Sequence, residues 1–373
     1  MAKKFNVTGN CRPENHYMVD ITNRLQAIET MVDSGDYFTI NRGRQYGKTT
    51  TLHLLADYLQ EKNVVASIDF QNLDSSEFSN VSSFVEAFAR EFYLSIKTDS
   101  VLPGNILQTL QKFAAGEVPR VSLRKLFLSL SECCSLSDRP IILIIDEVDA
   151  ASDFQVFLDF LSQLRSGYLN RDAAPTFQSV ILAGVQDIRN IKQKLRSESE
   201  HQANSPWNVA SRFTVDMSFS PSDIVSMLQE YEADHATGMD ITSIANLIYE
   251  YTSGYPVLVS GICKYIDEEI AGTDTFPDLT AAWTAQGVVE AVGHIYDESN
   301  MLFESLQDKL NRYPELHDML YSLLMDGKPV MYNRYDPAIQ SALMYGFIRI
   351  ENKTVVVANR IFETQLFDDQ LQL

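Results

Sequence analysis

Apolar and polar positions change period several times along this chain, and the changes mark its elements. Tyr37-Phe38-Thr39-Ile40-Asn41 predicts a strand that runs into a glycine-bearing turn. From Lys48 to about Gln60 the period becomes helical, with Leu52, Leu55, Ala56 and Leu59 on one stripe. Residues 64–70 predict a second strand, and helices follow over about 82–96, 106–113 and 123–134. Residues 141–145 are apolar throughout and end at Asp146-Glu147. That run is too short for a helix and predicts the central strand of a parallel sheet covered on both faces. A helix over about 154–168 leads to a strand over 179–183, and a last strand is expected near 213–219.

After Ser220-Pro221 the pattern is helical only, over 222–235, 240–252 and 255–270, with Gly254 and Pro256 punctuating the last pair. Gly272-Thr273-Asp274-Thr275-Phe276-Pro277 is the best linker. Beyond it lie helices near 282–296, 301–311 and 315–325, then a short one over 337–345. Strand 347–350, turn Glu351-Asn352-Lys353 and strand 354–357 close the pattern as a hairpin. The expected class is therefore α/β, a doubly wound parallel sheet followed by a helical lid and a winged-helix-like end. The expected boundaries are 1–220, 221–275 and 276–373.

Composition narrows the function classes. The chain has 373 residues and is 45% hydrophobic, enough for a large core and long for one domain. A net charge of −20 opposes a whole-surface grip on nucleic acid, leaving only a local basic face open and favouring protein partners. Cys11, Cys133, Cys134 and Cys263 lack metal-ligand spacing and read as reduced thiols, so a cytoplasmic location is expected. No signal peptide and no apolar run of membrane-spanning length is found. Six histidines show no paired metal spacing.

The chemistry concentrates in Arg42-Gly43-Arg44-Gln45-Tyr46-Gly47-Lys48-Thr49, between a strand and a helix. Backbone N–H groups of such a turn, with the helix N-terminus, supply positive potential for a polyphosphate. Gly47 allows close backbone approach, Lys48 reaches the outer phosphates, and the Thr49 hydroxyl can ligate magnesium. Gly43, Arg44, Gln45, Tyr46, Gly47, Lys48, Thr49 and Thr50 are the nucleotide-binding candidates. The first glycine of the usual motif is absent: Arg42 holds its place and Gly43 comes one residue later. The plainer reading is a helix-capping turn. About a hundred residues on, Asp146 at a strand tip can hold the magnesium shell with Thr49, and Glu147 can polarise a water. Their plainer reading is a strand end that caps the next helix; the order of the two motifs speaks for the functional one.

Together with Gly254-Tyr255-Pro256 and the terminal helix-hairpin, these motifs resemble the bacterial AAA-like ATPases, near the signal-transduction ATPases with numerous domains and the archaeal-type ATPases. The resemblance implies ATP with Mg2+ as cofactors and an ATPase switch or motor that controls a separate effector protein in defence or regulation. It implies an adenine contact near Tyr17 or Met18, equally readable as core, and a phosphate sensor among Gln186, Asp187 and Arg189. It further implies that Arg212, in Ser211-Arg212-Phe213, acts on a neighbour's nucleotide, which requires a homo-oligomer; the alternative is a surface arginine. Lys48, Glu147 and Arg212 are thus the catalytic candidates, and Thr49 and Asp146 the metal ligands. Rival readings are a nucleotide-binding scaffold with negligible turnover and a DNA-engaging ATPase using the winged helix. Pro277-Asp278 with Glu351-Asn352-Lys353 formally fits a nuclease motif and is set aside as chance. Arg189, Lys192, Lys194 and Arg196 read as a solvated helix face.

Overall fold

The structure is a computed structural model and describes residues 3–43, 45–99, 101–185, 207–297, 301–325, 327–333 and 335–371. Arg44 and the 186–206 segment, which contains Gln186, Asp187, Arg189 and the basic run, lie outside the described residues. The chain divides into two compact units. One comprises Thr22–Asn41 and Thr51–Val215; the other comprises Met1–Ile21, Arg42–Thr50 and Asp216–Leu373.

The first unit is built on four parallel strands, β1 Tyr37–Asn41, β2 Val64–Asp69, β3 Ile141–Asp146 and β4 Ser179–Gly184, in the order β1-β4-β3-β2. β3 and β4 are buried at every residue, as an all-apolar run in the middle of a parallel sheet must be. The register pairs Asp69 with Asp146, Ile145 with Leu182, and Asn41 with Gly184, so these strand ends share the C-terminal edge. Helices α1 Thr22–Asp33, α2 Lys48–Leu59 (its body from Thr51), α3 Val81–Ile96, α4 Gly104–Ala114, α5 Leu123–Leu136 and α6 Gln155–Leu169 complete the unit. Leu52, Leu55 and Leu59 form the buried stripe of α2. Around α3 and α6 the core is rich in phenylalanine, with Phe84, Phe88, Phe92, Phe157 and Phe160 fully buried; Phe84 meets Phe160 edge-on and Phe88 meets it tilted, while Phe88–Phe92 and Phe157–Phe160 stack.

The expected last strand near 213–219 does not form. Just before it, an isolated bridge joins Phe38 with Ser211, where the Ser211 N–H donates to the Tyr37 carbonyl and its hydroxyl to Asp36. Phe213 stacks on Phe38, ring centroids 5.8 Å apart, but the ladder does not continue. Downstream, Asp216 accepts the Ser218 N–H in a local turn that competes with strand pairing.

The second unit contains helices α7 Pro221–His235, α8 Ile241–Thr252, α9 Pro256–Tyr265, the short α10 Leu279–Ala282 and α11 Ala285–Asp297, with a π turn at Ile266–Ile270. Ser220 and Asp223 form a capping box ahead of Pro221, which fixes the start of α7. Tyr17 is buried, packs on Phe5 and Tyr231, and its hydroxyl bonds Asp234 and His235. Core is therefore the reading that holds for Tyr17. The C-terminal part runs α12 Met301–Arg312, α13 Pro314–Leu324, β5 Val330–Met331, α14 Pro337–Tyr345, β6 Ile348–Glu351, β7 Thr354–Val357 and α15 Arg360–Leu371. Its antiparallel sheet has the order β5-β7-β6. Asn352 and Lys353, both at positive φ, make the two-residue turn between β6 and β7. Among the described residues no helix is long and apolar enough to cross a membrane.

Candidate nucleotide site

The loop that follows β1 is held in a shape its sequence only half announces. Gln45 (φ 58°) and Gly47 (φ 75°) are left-handed, while Tyr46 between them is not. Such alternation turns successive backbone N–H groups to one side and makes a nest for an anion. A Cβ on Gly47 would meet nothing within 4 Å, so glycine is required there by conformation rather than by space. Gly43 is the opposite case. A Cβ there would sit 2.8 Å from the Tyr345 carbonyl oxygen, so the loop's first glycine serves a close backbone approach.

Lys48 opens α2. Its ammonium donates to the carbonyls of Arg42 (3.2 Å) and Gly43 (3.1 Å), and the side chain is 6% exposed. The cation is therefore drawn across the mouth of the loop instead of extending into solvent. Thr49 follows in the first helical turn, and Thr50 accepts the Cys11 N–H at 3.1 Å, fixing the N-terminal segment beside the loop. The Gln45 Oε1 atom is buried with no partner. A nest of N–H donors, a lysine at a helix N-terminus and a hydroxyl in the first turn form a donor set that fits a polyphosphate with its metal.

At the sheet's C-terminal edge, Asp146 is 7% exposed and its Oδ1 accepts the Glu147 N–H at 2.9 Å. Glu147 is left-handed (φ 50°, ψ 41°) and leads into a 3-10 turn, Val148–Ala151. For a non-glycine residue that conformation costs about 1–2 kcal/mol. The strand therefore turns sharply at the two acids. Asp149 accepts the Val185 N–H, and a Cβ on Gly184 would lie 2.8 Å from the same Asp149 oxygen. One carboxylate thus binds the turn after β3 to the tip of β4.

Two acidic roles escaped the sequence reading. Nothing local in the sequence announces that Asp149 braces β4. Asp69 stands beside Asp146 at the same edge, and its carboxyl is held above the usual range by burial, with the Asp146 charge adding to the shift. The Gln71 N–H bond opposes it. The position of Asp69 at the end of a predicted strand was the available signal. Arg212 is exposed beside the Ser211 bridge. Among the described residues no cluster of metal-type ligands occurs away from this edge or on it.

Residues 10–368 match the sequence profile of a family described as the AAA-like domain. Among curated proteins no significant match is found. A Walker-type ATPase of Pyrococcus abyssi is similar in structure, with a TM-score of 0.59 and 16% identity over 97% of this chain and 99% of that one. Cdc6p of Pyrobaculum aerophilum (TM-score 0.44, 13% identity, 98% of each chain) aligns more loosely. So does the ADP form of the ORC2 protein of Aeropyrum pernix (0.46, 12%, 98% and 96%). At 16% identity the likeness to the Pyrococcus protein concerns the fold alone, a parallel α/β sheet with helices.

Proposed function

The chain belongs to the AAA-like family, and on that premise we propose that it binds and hydrolyses ATP as a nucleotide-dependent switch. The observation that carries the reading is the loop itself: two left-handed residues flanking Tyr46, with Lys48 at the helix N-terminus immediately after. Lys48 and the loop N–H groups would hold the phosphates, and Thr49 and Asp146 the magnesium. Bound Mg2+ would supply charge neutralisation for phosphoryl transfer. Glu147, presented on a sharp turn, would orient a water and accept its proton. Arg212, exposed at the sheet edge, would act on a neighbouring copy's nucleotide in a homo-oligomer.

The boundaries at 220 and 275 enter as part of the same proposal. The order helix, helix, strand, helix, strand, strand in residues 301–357 supports a winged-helix reading of the C-terminal part. By resemblance the switch would control a separate effector protein in regulation or defence, in a cytoplasm that keeps the thiols reduced. Burial pushes the Cys133 thiol up to about 12, consistent with an inert core cysteine. A DNA-engaging role is the second reading, favoured by the winged-helix order and opposed by the net charge of −20.

Phosphate release separates an ATPase from a scaffold. Wild type should turn over in the presence of magnesium, and Glu147→Gln should be slower by roughly a hundredfold or more while still binding ATP. Equal, near-zero rates in both proteins would leave the scaffold as the answer.

A further inference from the structure

The phosphate loop makes contacts that phosphate binding does not require. The Tyr46 ring packs edge-on against Tyr255, centroids 4.6 Å apart at 64°, and its hydroxyl bonds the Ser218 hydroxyl at 2.9 Å. Tyr255 lies in the Gly254-Tyr255-Pro256 turn and is 2% exposed. Its ring stands edge-on to Phe362 of α15, 5.7 Å away at 86°. Both tyrosines border Gly346, the residue that ends α14: a Cβ there would lie 3.4 Å from Tyr255 and 3.8 Å from Tyr46. One residue earlier, the Tyr345 carbonyl is what excludes a side chain from Gly43. Arg349 on β6 adds a bond to the Ser253 hydroxyl at 3.1 Å, beside the same turn.

Tyr46 is placed where loop geometry is most sensitive. It stands between the two left-handed residues, so a change of backbone angle at Gln45 or Gly47 swings its ring. The ring cannot swing freely, because Tyr255 and Gly346 wall it in and packed aromatic contacts tolerate little displacement. A loop that adjusts to a polyphosphate must therefore either strain this contact or carry the C-terminal part with it. We propose that Tyr46 is a positioning residue that couples the conformation of the phosphate loop to the seating of the C-terminal helix-hairpin module. Nucleotide occupancy and that module's position are then linked, and a protein bound to the module changes ATP affinity in the same measure as ATP changes its own binding. The inference rests on the nucleotide reading above and adds a route by which an effector would be controlled.

The test is amide hydrogen exchange of residues 343–348 in the full chain, with and without ATP and magnesium, alongside equilibrium ATP binding. In wild type and Tyr46→Phe, which keeps the ring, bound ATP should change exchange there by about fivefold or more. In Tyr46→Ala, compared at saturating ATP whatever its own affinity, exchange should no longer respond. Wild type that binds ATP without a change at 343–348, or Tyr46→Ala that responds like wild type, overturns the coupling. Wild type that binds no ATP overturns the nucleotide reading itself, a distinguishable failure. If Tyr46→Ala does not fold or does not bind ATP, Phe362→Leu decides. Sited behind Tyr255 and away from the loop, it should shift the ATP dissociation constant by about fivefold, and an unchanged constant overturns the proposal.

Discussion

At the scale of single residues, the same amino acid types serve opposite purposes within one loop. Gly47 is glycine because of its backbone angle, and Gly43 because another chain segment occupies the space. A Gly43→Ala variant should lose stability without any change in the chemistry of the phosphate-binding groups. Urea unfolding should show a cost of about 1–3 kcal/mol, the usual range for a forced overpacking. A second prediction concerns Glu29 on α1, which accepts bonds from Lys62 (2.8 Å) and Tyr58 (2.9 Å). The Lys62 bond, then the Tyr58 bond, hold its carboxyl below the ordinary 4.5. A depressed acid stabilises the fold above its unfolded pKa and loses that contribution as pH falls through the folded value. Glu29→Gln should therefore be less stable than wild type near neutrality, with the gap closing below pH 4.5. Denaturant melts across pH 3 to 7 check this, and a gap that does not vary with pH would speak against the ion pair.

At the scale of elements, Gly254 shows how a helix-helix turn is enforced. It is left-handed (φ 73°), its carbonyl accepts the Phe219 N–H at 2.8 Å, and any Cβ would run into the Phe219 carbonyl. Gly254→Ala should cost about 3 kcal/mol or more, because neither partner is a side chain that can move aside. Thermal unfolding measures it, and a loss under 1 kcal/mol would mean that the turn relaxes.

Much of the architecture could be read from periodicity. β1, α14 and β7 fall where their patterns place them, and β3 is buried throughout as its apolar run demands. What periodicity missed was held by something else. α1 has only Leu25, Ile28 and Val32 buried, three residues among polar ones, and gives a faint stripe. β5 is two residues long and exists through pairing with β7. The strand expected near 213–219 has alternating partial burial, yet it forms no ladder, and the Asp216 bond to the Ser218 N–H turns the chain locally instead. In the candidate site, Lys48, Thr49, Asp146 and Glu147 were open to nomination from sequence because motif order carries information. Asp149, Asp69 and the ring contacts of Tyr46 were not, since each depends on residues distant in sequence.

At the scale of the whole molecule, charge sets the expectation for partners. With a net charge of −20, the chain should be repelled by duplex DNA at low salt, where a phosphate grip would be strongest. Phosphate release should accordingly not rise on adding duplex DNA at 50 mM salt. A stimulation that fades steeply as salt is raised would favour the DNA-engaging reading. The 42–50 loop, the N-terminal segment and the helices beyond Asp216 belong to one compact unit, so the loop and the C-terminal module share it, whereas Asp146 and Glu147 belong to the other. Every role proposed for these residues depends on that loop taking a triphosphate. Equilibrium binding of ATP with magnesium, measured for wild type and Lys48→Ala, tests it most directly. Saturable binding by wild type, weakened by about tenfold or more in a folded Lys48→Ala, is the predicted result, since a charge-assisted contact contributes about 1.5–3 kcal/mol. Equal binding by both proteins, or none by wild type, would contradict it.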